Sequence, residues 1–90
     1  SGGGIMAQFA KLNHLSQVID VTLVSDIDAP DEAAGIAFLQ SIFGGEWVQT
    51  FEFDLPYPDP YPRGKYAAIG DTWDVSNQVF VPPPNPLLGE

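Results

Sequence analysis

Apolar residues along the chain change period twice, and each change marks an element. "AQFAKLN" (7–13) and "QVIDVTLVS" (17–25) read as strands joined by the short turn "HLS". In the second, Ile19, Val21 and Leu23 alternate with Asp20 and Thr22, the period-two pattern of a strand with one face on a core, while Val18 and Val24 fall on the polar phase. From about Pro30 to Phe43 the spacing becomes helical: Ile36, Leu39 and Phe43 recur at intervals of three and four, and Phe38 and Ile42 widen the stripe. Pro30 suits a first helical turn, Asp28, Asp31 and Glu32 sit where the helix dipole favours carboxylates, and Gly44-Gly45 provides the stop. Alternation then resumes in "EWVQTFEFD" (46–54), with Trp47, Gln49, Phe51 and Phe53 on one phase and Val48, Thr50 and Glu52 on the other.

Prolines break that third strand. Pro56, Pro58, Pro60 and Pro62 stand at every second position, and a proline offers no backbone donor and fixes φ, so residues 55–64 should form an extended, solvated loop. "TWD" and "QVFV" then pair across the turn "VSN" as a hairpin, with Gly70 and Asp71 marking a bend before it. A strand-strand-helix-strand-hairpin order predicts an α+β fold, with a small antiparallel sheet of four to five strands packed by one helix. Residues 6–81 form one domain in this reading and 82–90 a proline-rich tail. "SGGGI" ahead of Met6 reads as a cloning remnant.

Charge narrows the function classes. The 90 residues carry 12 acidic side chains against 3 basic ones, a formal net charge of -9. Lys11, Arg63 and Lys65 cannot supply the cationic footprint that nucleic acid requires, and anionic membrane surfaces are disfavoured in the same way. No apolar run approaches the roughly 18 residues of a membrane span. Without cysteine, disulfides, thiolate metal sites and cysteine nucleophiles are excluded, and the compartment stays undecided. A small domain leaves much of its surface exposed, which favours a partner, either another protein or further copies of itself.

Candidate chemistry is sparse. His14 is the single histidine, and none of Ser16, Ser25, Ser41 or Ser76 lies in a nucleophile-elbow context. "DIDAPDE" (26–32) has calcium-loop composition but puts Pro30 and Asp31 where ligand and glycine belong, so helix capping explains its carboxylates. Asp71, Asp74 and Asn77 fit turn chemistry. No phosphate-binding glycine motif is present. The reading is therefore of a non-enzyme with no cofactor and no metal site.

Recognition is better served by the proline zigzag, which presents Tyr57 and Tyr61 on a stiff backbone, followed by Arg63 and Lys65. With Pro82, Pro83 and Pro84 at the head of the tail, these are the candidate partner-binding residues. Four stretches, "MAQFAKLN", "GIAFLQSIFGGEWVQT", "RGKYAAIGDTWD" and "VFVPPPNP", covering most of 6–86 in the same order, resemble a group of short, uncharacterised proteins of marine tailed phages, the cyanophages especially. Gln8 stands where that group often has histidine and Trp73 where tyrosine is usual. The resemblance implies a viral protein, and with it a minor virion or tail-associated structural or assembly component found in the virion. The alternative is a small acidic host-takeover factor that binds and inhibits a host protein in the host cytoplasm.

Overall fold

A computed structural model describes residues 6–52 and 61–83. Strands β1 (Met6–Leu12) and β2 (Val18–Ser25) are followed by helix α1 (Glu32–Phe43), strand β3 (Glu46–Thr50) and the hairpin of β4 (Thr72–Asp74) and β5 (Val79–Val81). The α+β class is as expected. The strands, however, do not form one sheet of four to five: β2-β1-β3 make a three-stranded antiparallel sheet and β4-β5 a separate two-stranded ribbon. Among the described residues, the backbone bonds near the ribbon come from the start of β2 and the turn before it: Trp73 N to Ser16 O at 2.7 Å, Val18 N to Asp71 O at 2.8 Å and Gly70 N to Val18 O at 2.9 Å. With three residues each, β4 and β5 are too short to run on along β2. They lie instead over the face of the sheet that carries Ala10 and Val48.

That sandwich explains an error of phase. Lys11 faces Asp20 and Leu12 faces Val18, so Ile19 has no partner and forms a bulge. Val18 and Val21 both pack on the ribbon side, while Val24 packs on the helix side. Ile19 and Leu23, expected inward, are 46% and 54% exposed, and Val18 and Val24, on the supposedly polar phase, are buried. A strand covered on both faces and broken by a bulge carries no clean alternation to read.

On the helix side, Asp31 caps α1 by accepting from Ala34 N at 2.8 Å, so the helix starts at Glu32 rather than Pro30. Gly44, at φ 69°, ends it and donates to Gln40 O at 2.9 Å. Phe9, Val24, Ala29, Leu39 and Trp47 form this core, with Ile36 and Phe38 against it. Withdrawing each large side chain from water contributes about 1.5–3 kcal/mol. Ile42 and Phe43, predicted to extend the buried stripe, are more than half exposed. Trp47 completes the core there instead, its indole N–H donating to Gly44 O at 2.9 Å and its ring 6.1 Å from that of Phe43. Gly35 lets the helix settle on Phe9: a Cβ there would stand 2.2 Å from Phe9 Cζ.

The ribbon side closes over Ala10, Leu12, Val18, Ala67, Trp73 and Phe80. Trp73 and Phe80, cross-strand partners, have ring centroids 4.8 Å apart. The hairpin matches its sequence signal. Asp74 Oδ1 accepts from Ser76 N and Asn77 N at 3.1 and 3.2 Å, and Oδ2 from Asn77 Nδ2 at 2.8 Å.

Candidate protein-contact site

Tyr57 and Pro84 lie outside the described residues. Tyr61, Arg63 and Lys65 are each half-buried and bonded within the chain. Tyr61 Oη donates to the carbonyl of Phe51, so the positions on either side of residues 53–60 are in contact. Arg63 adopts φ 62°, unusual for a residue other than glycine, and its carbonyl accepts from Phe80 N at 2.8 Å. Its guanidinium donates to Glu32 Oε1 at 2.9 Å and to Gln78 Oε1 at 3.0 Å and lies 5.2 Å above the Trp73 ring. The other Glu32 oxygen accepts from Gln49 N at 3.0 Å. One arginine thus ties the start of α1, the edge of β3 and the hairpin together.

Lys65 Nζ donates to Asp71 Oδ2, which also accepts from Ala68 N at 2.8 Å. Asp71 is 1% exposed, a buried carboxylate whose charge is met by one ammonium and one amide. Pro82 and Pro83 are exposed, and Pro83 Cγ lies 3.8 Å from where a Cβ on Gly70 would stand. The expected contact residues therefore fall in two places: Tyr61 and Arg63 beside Phe51 and Glu32, and Lys65 and Pro83 around the Gly70-Asp71 bend. The charges of Arg63 and Lys65 are already met, so what they present outward is chiefly stem and backbone.

A second region escaped the sequence reading. The register sets Met6 opposite Ser25 and Gln8 opposite both Leu23 and Thr50, so the start of β1 meets the ends of β2 and β3. Met6 and Leu23 are exposed there, and their even spacing from Gln8 in the register puts them on one face. Beside Met6 is a shallow open groove, lined also by Gln8, Gln49, Thr50, Phe51 and Glu52 among others. Gln8 Nε2 donates to Glu52 Oε1 at 3.1 Å, which turns Gln8 Oε1 inward, buried and without a donor. Reversing the amide would set oxygen against oxygen. Burial first, then the charge of Glu52 and the neighbouring Tyr61, raise the Tyr66 hydroxyl above its ordinary 10.0. Asp26 and Asp28 are exposed in the turn that leaves β2 at the same end.

His14 stands exposed in the turn after β1, at the opposite end of the sheet. Ser25 Oγ accepts from Ile27 N at 3.2 Å and Ser41 Oγ donates to Phe38 O at 2.7 Å, local backbone contacts in both cases. Among the described residues no three His, Asp or Glu side chains are placed to hold a metal ion, and no helix is long and apolar enough to cross a membrane.

Comparison with protein families, with curated proteins and with solved structures finds no match. The likeness to the phage group rests on the four sequence stretches alone.

Proposed function

We propose that this is a non-enzymatic phage protein that works by contact with another protein, as a minor virion or tail-associated structural or assembly component. The observation that carries the reading is the distribution of charge. All three cations have partners inside the chain: Lys11 lies 5.6 Å from the Trp47 ring centroid, Arg63 pairs with Glu32 and Lys65 with Asp71. Asp20, Asp26, Asp28, Glu46 and Glu52 remain exposed. Such a surface repels polyanions and suits a basic protein partner.

The same acidity suits the alternative, a host-takeover factor that mimics a polyanion, but that role calls for carboxylates grouped on one face. Here Asp20 and Glu46 stand by the end of β1 and Asp26, Asp28 and Glu52 by its start, at opposite ends of the sheet. This spread favours a structural part. Mass spectrometry of purified virions tests the reading: the polypeptide is expected at stoichiometric levels. Finding it only in infected-cell lysate overturns the structural role in favour of the inhibitor.

A further inference from the structure

The end of the sheet where β1 begins brings three features together. Met6 and Leu23 expose apolar side chains on one face, at 44% and 54%, and Ile27, just past the end of β2, is 85% exposed. An open groove runs from Met6 past Gln8, with Glu52 on its wall. Carboxylates stand on both sides, Asp26 and Asp28 beyond β2 and Glu52 beyond β3, and among the described residues no cation pairs with any of them. An apolar patch rimmed by charge of one sign is the usual anatomy of a protein contact surface.

The charge also selects the occupant. A second copy would bring Asp26, Asp28 and Glu52 against the same residues, and like charges across an interface oppose it. We infer that this end of the sheet docks a basic, apolar-centred segment of a partner protein, its leucine-like side chains on Met6, Leu23 and Ile27 and a lysine or arginine against Glu52. The inference rests on the protein-contact reading and adds which surface is used and what chemistry it takes.

The purified full-length chain can be titrated by amide NMR with a short peptide of alternating leucine and lysine, beside a control of equal charge without leucine. Saturable shifts are expected at Gln8, Leu23 and Glu52 with the first peptide and weaker, unsaturated ones with the control. Leu23→Asp and Glu52→Lys, both at exposed positions, should each weaken binding at least fivefold while the remaining spectrum keeps its dispersion. Glu52→Lys should also restore binding to a leucine-glutamate peptide. Equal affinity for both peptides, shifts centred on Asp20 and Glu46, or variants that bind like the parent would overturn the assignment. So would self-association of the free chain that Leu23→Asp abolishes, which makes a second copy the occupant. Because no virion is involved, failure here leaves the virion measurement free to stand.

Discussion

The two layers that cover the three-stranded sheet are built in different ways. Beneath α1 the contacts are apolar side chains, Phe9, Leu39 and Trp47, and apart from Glu32, which bonds Gln49 N and Arg63, the polar work is local: Asp31 bonds three residues ahead, Gly44 four residues back. Beneath the ribbon the apolar core is of similar size, but distant polar groups position it. Arg63 reaches Glu32 across 31 residues, Thr50 Oγ1 accepts from Ala67 N across 17, and Asp71 is buried against Lys65. Hairpin strands of three residues offer too few ladder bonds to hold their own place, so directed contacts do it. The helix layer should answer to side-chain volume, the ribbon layer to charge.

The largest effect should come from the helix side. Phe9→Ala removes a fully buried ring and should cost about 3–5 kcal/mol, a large part of the stability of a domain this small. Urea unfolding measures it, and the cost should be the same at low and high salt. Asp71→Ala strips the ammonium of Lys65 and the amide of Ala68 of their acceptor and should cost about 2–3 kcal/mol. Hydrogen exchange should show protection falling at Val18, Gly70 and Trp73 while the helix amides hold. Uniform loss across both layers would show that they open as one unit and dissolve the contrast.

Arg63→Ala follows at about 1–2 kcal/mol, since Glu32 is a third exposed and keeps its bond to Gln49 N. Its penalty should shrink in 1 M salt, and Arg63→Lys should recover only part of it because lysine lacks the fork that spans Glu32 and Gln78. The smallest effect concerns Asp74. Bonds first from the Asn77 side chain and then from backbone amides hold its carboxyl below the ordinary value of 3.8. With the folded value depressed, its contribution is complete above the unfolded value of about 3.9 and is lost as pH falls through the lower folded one. Exchange at Ser76 and Asn77 should therefore speed up only in that acid range, and Asp74→Asn should remove the dependence.

How much the sequence disclosed follows the same division. The helix and its stop, the five strand segments and the hairpin turn are legible because their signals lie within a few residues of each other. Val18 was misassigned because the bulge at Ile19 depends on how β1 pairs, and Leu23 because the layer over Val21 does not reach it, neither of which a local pattern records. Arg63 and Lys65 drew attention as rare cations, but a count of residue types cannot show that Glu32 and Asp71 lie within reach. The groove beside Gln8 and Glu52 is a product of register alone. Its residues sit 44 apart in the chain and carry no motif.

Gly35 sets a dimension as well as a contact. With only a hydrogen facing Phe9, the helix axis can ride closer to the sheet than a methyl group would allow. Replacement by alanine, usually a gain in helix-forming tendency, would here lift that cylinder away from the strands. The thickness of the molecule on this side is governed by the one residue that has nothing to show for itself in a hydropathy plot.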